Sequence, residues 1–290
     1  FWQSMFLCEG DQLLDATELV EEVGFDGASV SDHLVHFEHI DTPYPYSADG
    51  KPPSFTGETV WPESWSVCAA MAARTKRIQF VTNVYIVPLR HPVELAKATS
   101  SASYFSGGRI CLGAGAGWMK EEFDMMGVDF HTRGKRFDES IEVMRKLWSG
   151  ETVEHHGQFY DFPALQMTPA PKEPVPIYIG GASKAALRRA ARVGDGWMGP
   201  GQLIEDALAT VKQINELRAE YGRQNEPFHF FVPLFGGTPN DLDDIKRLID
   251  AGVDGIVSLP FAFMVGPDST LDQKRAYLED YANNVIAKLR

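Results

Sequence analysis

The stretch GASVSDHLVHF (27–37) runs apolar and strand-like until it stops at Ser31-Asp32-His33, and two further histidines, His36 and His39, follow at three-residue spacing. Residues of these types can ligate a metal, transfer a proton or touch a cofactor. Three histidines three apart lie close to one helical face, which suits a metal. A carboxylate beside an imidazole can instead tune that imidazole as an acid or base near neutral pH. Two glycine-rich runs add a second kind of chemistry. In LGAGAGW (112–118) the glycines fall at 113, 115 and 117, with Trp118 where a dinucleotide fingerprint needs its last glycine, so a Rossmann reading fails. That turn does allow a flat ring to approach backbone at Gly115, Ala116 and Gly117, with Trp118 as a wall. A tight turn around a core tryptophan accounts for the same residues almost as well. In YIGGASKAAL (178–187), Gly180, Gly181 and Ala182 lead to Ser183 at the N-cap position of a helix. Free N–H groups and the helix dipole there suit a phosphate. Lys184, Arg188 and Arg189 read as solvated helix-face residues, or as an extension of that site toward an anionic tail.

A scaffold must bring these residues together, and the apolar pattern describes one. Short β-rich runs alternate with longer amphipathic stretches, as in a βα repeat. The pairs are WQSMFL (2–7) with a helix over Asp11–Val23, GASVS (27–31) with Pro62–Arg74, IQFVTNV (78–84) with His91–Phe105, and RICLGA (109–114) with Arg133–Trp148. The second half supplies VPIYIGG (175–181) with Lys184–Val193, GWMG (196–199) with Ile204–Tyr221, FHFFVPL (228–234) with Asn240–Ala251, and DGIVSLP (254–260) with Leu271–Leu289. Eight such units make a (β/α)8 TIM barrel, expected as one domain over residues 1–290 with insertion loops. Glycines just past helix ends in EEVGFDG (21–27), RVGDG (192–196) and DAGVDG (250–255) support the boundaries.

Two insertions interrupt the alternation. Residues 34–60 carry Pro43, Pro45, Pro52, Pro53, Tyr44, Tyr46 and Phe55 and read as a lid over the mouth; residues 151–174 read as a small hairpin around Gly157 and a Pro-rich crossing. In such a barrel the strands' C-terminal ends converge on one mouth. They deliver Asp32 and His33 after the second strand, Thr82 and Asn83 in the third, Gly113 to Trp118 after the fourth, and Gly180 to Ser183 after the fifth. The first strand offers a metal only Cys8 and Glu9, so no metal is expected and His36 and His39 read as polar loop residues.

Composition narrows the function. Hydrophobic residues make up 44% and charged residues 23% of 290, the balance of a soluble enzyme. A net charge of -13 argues against nucleic acid or an anionic membrane surface as partner, and the apolar runs are too short to span a bilayer. Cys8, Cys68 and Cys111 are odd in number and sit in core-like runs, so no disulfide framework is expected. With no secretory signal visible, a reducing, cytoplasmic location is expected.

The phrases VSDHL (30–34), RIQFVTNVYIVPLRHPVELAK (77–97), FSGGRICLGAGAGW (105–118), RGKRFDESIEVMRKLWSG (133–150) and VPIYIGGASKAALRRAARVGDGW (175–197) resemble the luciferase-like monooxygenase superfamily, and more narrowly its F420-dependent oxidoreductases. The resemblance covers nearly the whole chain. It implies a bacterial-luciferase-like barrel in which Asp32 and His33 contact a deazaflavin or flavin ring, with His33 as proton donor or acceptor. It also implies a non-proline cis peptide at Asn83-Val84 behind the ring, and phosphate binding at Gly180, Gly181 and Ser183. Sugar-phosphate dehydrogenases of this branch carry a tryptophan four residues after the histidine and a glutamate after the glycine turn. Phe37 and Trp118 stand there in this chain, so glucose 6-phosphate oxidation is not expected.

The expected activity is hydride transfer between C5 of coenzyme F420 and a small, largely apolar substrate lined by Phe37 and Trp118. The alternative is a monooxygenase using reduced FMN from a partner reductase; a third reading is a non-catalytic flavin-binding protein. The resemblance suggests a homodimer.

Overall fold

The computed structural model describes residues 1–47, 49–52, 55–233 and 241–290. Pro53 of the expected lid, Leu234 at the end of the expected seventh strand and Asn240 at the start of its helix lie outside the described residues.

Eight strands form the frame: β1 (Trp2–Ser4), β2 (Gly27–Val30), β3 (Gln79–Thr82), β4 (Ile110–Gly115), β5 (Ile177–Gly180), β6 (Gly196–Met198), β7 (His229–Pro233) and β8 (Gly255–Ser258). Each pairs in parallel with the next, and β8 pairs with β1, so the sheet closes into a barrel. All but β4 are shorter than the apolar runs that announce them. Helices Leu13–Glu22, Ser64–Arg74, Pro92–Ser106, Arg133–Trp148, Lys184–Val193, Ile204–Glu220, Leu242–Asp250 and Leu271–Tyr281 follow the strands in turn. Their starts are chemically marked. The Glu63 carboxylate accepts from the N–H groups of Trp65 and Ser66, Asp241 does the same for Asp243 and Asp244, and Thr270 and Gln273 form a reciprocal capping box.

The barrel interior is filled by rings set opposite glycines. Trp2 faces Gly27 across β1 and β2, Tyr178 faces Gly196 across β5 and β6, and Phe231 faces Gly255 across β7 and β8. A Cβ on these glycines would lie 2.4, 2.6 and 2.2 Å from the facing ring, so only hydrogen fits there. The remaining pair, Val81 opposite Cys111, divides the space more evenly. Alternation of large and small side chains between neighbouring strands is how a barrel this narrow packs solid. Outward-facing Ala28, Phe80, Leu112, Ile177, Ile179, Trp197, Phe230 and Ile256 meet the helices in the main core.

The expected hairpin is present as antiparallel strands Val153–His156 and Asp161–Leu165. Glu139 holds it by accepting from the N–H groups of Gln158, Phe159 and Tyr160. Several features depart from the sequence expectation, among them the short helix Phe261–Met264. A six-residue helix, Lys120–Met125, follows Trp118; a two-residue pairing, Tyr85–Ile86, runs beside β4; and the last helix gives way to a π turn at Ala282–Ile286 before resuming at Ala287–Leu289. Cys8, Cys68 and Cys111 are buried free thiols. Among the described residues no helix is long and apolar enough to cross a membrane.

Candidate active site

Beyond β2 the chain sends Asp32 and His33 to different partners. Asp32 is buried, and its two oxygens accept from both terminal nitrogens of Arg90 at 2.5 and 2.7 Å and from the Ile86 N–H at 2.9 Å. Arg90 also donates to the Ile86 carbonyl and lies 4.3 Å from the centre of the Tyr85 ring. The expected pairing of Asp32 with His33 is therefore corrected: adjacency in sequence at a strand end turns the two side chains apart. His33 instead places Nδ1 3.0 Å from Glu122 Oε2, while Glu122 Oε1 accepts from the Leu34 N–H at 2.8 Å. The Glu122 side chain is wholly buried and that of His33 is 13% exposed.

The short helix Lys120–Met125 explains how a carboxylate reaches this point. Phe123 on it is fully buried against Ile86, Leu89 and Phe130, which fixes its roll. On the same helix Glu121 accepts from the N–H groups of Asp41 and Thr42 in the 34–60 segment. Burial alone would raise the Glu121 carboxyl, but the surrounding hydrogen-bond donors outweigh it and hold the group below the usual glutamate range.

Residues 31–40 form no helix, so three-residue spacing does not align the histidines. His36 and His39 are exposed, and His36 meets the edge of Phe55. Among the described residues no group of three His, Cys, Asp or Glu side chains clusters as metal ligands would.

The Asn83–Val84 peptide is cis, as the resemblance implies, and the Asn83 N–H donates to the Val30 carbonyl at 2.5 Å. Val84 projects between two glycines. A Cβ at Gly115 or at Gly180 would come within 2.5 Å of a Val84 methyl, so β4 and β5 both lack side chains where Val84 packs. Thr82 is placed differently from expectation. It is fully buried, and its hydroxyl donates to the Gly113 carbonyl at 2.7 Å, which makes it a strap between β3 and β4 below the mouth. Ala116, Gly117 and Trp118 continue from β4, and Arg133 secures that turn by donating to the Gly117 carbonyl. Overfilling is testable here. Gly180→Ala is expected to cost about 1–3 kcal/mol in chemical denaturation, the usual range for an added methyl in a tight core. Adding Val84→Ala should recover most of it; additive losses would show that Val84 does not key the two strands together.

Gly181 sits at φ +103°, a conformation glycine adopts readily. Its N–H donates to Met198 and its carbonyl accepts from the Trp197 indole, while Ser183 Oγ caps the next helix through the Ala186 N–H at 3.2 Å. The N–H groups of Ala182, Ser183, Lys184 and Ala185 have no protein acceptor among the described residues. Lys184 and Arg188 are exposed, but Arg189 is buried, paired to Asp138 and the Gly134 carbonyl, and so belongs neither to a solvated face nor to an anion site.

The 34–60 segment joins these parts with rings. Phe55 stacks on His33, Trp61 and Trp118 meet it edge-on, Tyr44 meets Trp118 at 5.1 Å, and Tyr46 follows Tyr44. The Tyr46 hydroxyl lies 3.2 Å from where a Gly181 Cβ would be. Phe37 is partly buried in the same segment. The Ser31 carbonyl ties the segment's far end by accepting from the Trp61 indole and the Ser64 hydroxyl.

Sequence reasoning missed Glu122, Arg90 and Trp61. A six-residue helix shows no periodicity, so the glutamates of KEEF (120–123) carried no signal beyond their charge. Arg90 lay inside a recognised phrase without a role.

A barrel with these groups at one mouth defines an enzyme class that sequence comparison identifies directly. The family model for luciferase-like monooxygenases matches residues 9–283, and the chain belongs to that family. Its relatives include F420-dependent oxidoreductases. The uncharacterized protein Rv0940c of Mycobacterium tuberculosis is 39% identical over 271 residues, covering 93% of this chain and 92% of that protein. The F420-dependent glucose-6-phosphate dehydrogenase of Amycolatopsis mediterranei is 28% identical over 306 residues, covering 94% and 87%. Among solved structures, monooxygenase RslO1 from Streptomyces bottropensis shares the fold with a TM-score of 0.75 at 19% identity over 100% of both chains.

Proposed function

We propose that the protein is an F420-dependent oxidoreductase acting on a small, largely apolar organic substrate, with His33 handling the proton. The observation that carries this reading is the setting of His33: an imidazole backed by a buried carboxylate and walled by Phe55, Trp61 and Trp118 at the mouth of the barrel. Relatives named for coenzyme F420 support the choice of cofactor.

The residues present suit such a group. Unpaired N–H groups from Ala182 to Ala185, at the positive end of a ten-residue helix, match a phosphate. Ala116 and the Trp118 ring suit a flat ring, with Asn83 and Val84 behind it, whereas Gly115 and Gly117 make room for Val84 and for Ile86 and Phe123 and so hold the turn that presents them. Bound there, a deazaflavin would supply a hydride donor or acceptor at its C5. His33 would give or take the accompanying proton, and the surrounding rings would exclude water and favour an apolar substrate. Asp32 contributes by holding Arg90 and Ile86, and with them the segment that follows Val84.

Titration of the purified protein with F420 and with FMN, each followed by fluorescence, tests the cofactor. Saturable binding of F420 with much weaker binding of FMN is expected. Tighter binding of FMN, with oxygen consumed once it is reduced, would make the protein a flavin monooxygenase instead.

A further inference from the structure

We infer that Glu122 is a positioning residue that fixes the tautomer of His33, leaving Nε2 as the nitrogen that exchanges the proton. This rests on the reading of His33 as the proton-handling group and adds which atom does so and why.

An ionised carboxylate only accepts hydrogen bonds, so a ring nitrogen 3.0 Å from Glu122 Oε2 is attracted to it only when that nitrogen carries hydrogen. A bare Nδ1 would set lone pair against lone pair. Nδ1 is therefore N–H in the neutral ring, and Nε2 holds the free lone pair; hydrogen-bond partners are what assign such tautomers. Nε2 has no protein partner among the described residues.

Glu122 can hold this position because it is itself held. The Leu34 N–H occupies Oε1, the side chain is wholly buried, Phe123 anchors the helix below, and Glu121 grips the lid one residue earlier. Asp32 cannot substitute, since Arg90 and Ile86 engage both of its oxygens. The arrangement follows the general pattern in which a carboxylate behind a working histidine sets both tautomer and orientation.

The test begins on the cofactor-free protein with ¹⁵N-labelled histidine. His33 is identified by loss of its signals in His33→Asn, and in its neutral form it should show a protonated Nδ1 and a bare Nε2. Glu122→Gln, nearly the same size but able to donate as well as accept, should move the ring toward the other tautomer. In the loaded enzyme it should lower kcat by roughly 10–100-fold, the range for loss of an orienting partner behind a histidine, with cofactor affinity within a few-fold. A neutral wild-type ring protonated at Nε2 would overturn the inference, and this holds even if Glu122→Gln does not fold. Full activity in Glu122→Gln beside an inactive His33→Asn would overturn the positioning role alone, whereas full activity in His33→Asn would overturn the reading beneath it.

Discussion

Replacing His33 with asparagine is expected to lower turnover by roughly 10²–10⁴-fold, the contribution of one general acid or base, while cofactor affinity should change far less. Asparagine is the informative choice because its amide N–H can still donate toward Glu122. A shorter residue without a donor would leave Oε2 of that buried carboxylate without its partner and confuse catalysis with folding. What asparagine cannot do is carry a proton at the place of Nε2. Steady-state kinetics with cofactor titration separates the two effects. His36→Ala and His39→Ala, at exposed positions outside this network, should stay within a few-fold of the parent. Unchanged turnover in His33→Asn, or activity that needs added metal and disappears with any of the three histidines, would return the metal reading.

Arg90→Leu should be the most destabilising single change at the mouth, at about 3–5 kcal/mol in chemical denaturation. The Arg90 and Asp32 side chains are 10% and 2% exposed, so removing the guanidinium leaves a carboxylate without its countercharge in a place water hardly reaches. The Ile86 N–H alone would remain to it. Combining Arg90→Leu with Asp32→Asn removes both charges, and the pair should cost clearly less than the sum of the two single losses. Additive losses, or less than about 1 kcal/mol for Arg90→Leu alone, the level of an exposed pair, would show that the ion pair does not hold the mouth together.

The barrel was legible because its signals are periodic and repeated. Alternating runs mark all eight units and helix-end glycines bound several of them, and even Arg133–Trp148 and Lys184–Val193 appear at their expected limits. The mouth was legible only in part. Asp32 and His33 announce themselves by interrupting an apolar run, yet nothing local says that one turns to Arg90, 58 residues away, and the other to Glu122, 89 residues away. Choosing partners depends on where loops return, and a six-residue helix leaves too little pattern to predict that return. Thr82 shows the opposite difficulty: a polar residue near a strand end reads as a ligand contact, although its hydroxyl serves the neighbouring strand.

The ring and glycine pairs that fill the barrel constrain how such a chain can vary. Neither member of Trp2 and Gly27, Tyr178 and Gly196, or Phe231 and Gly255 can change size freely while its opposite stays the same. A larger residue at a glycine collides, and a smaller one at a ring leaves a cavity. An exchange of bulk between partners is open to Gly255 and Phe231, but a Cβ at Gly27 or Gly196 would also lie 2.8 or 2.5 Å from the backbone carbonyl of Gln79 or His229, so those two positions should stay glycine whatever ring faces them. The mouth can then acquire new substrates by altering its loops, above a floor in which these glycines leave little freedom to change.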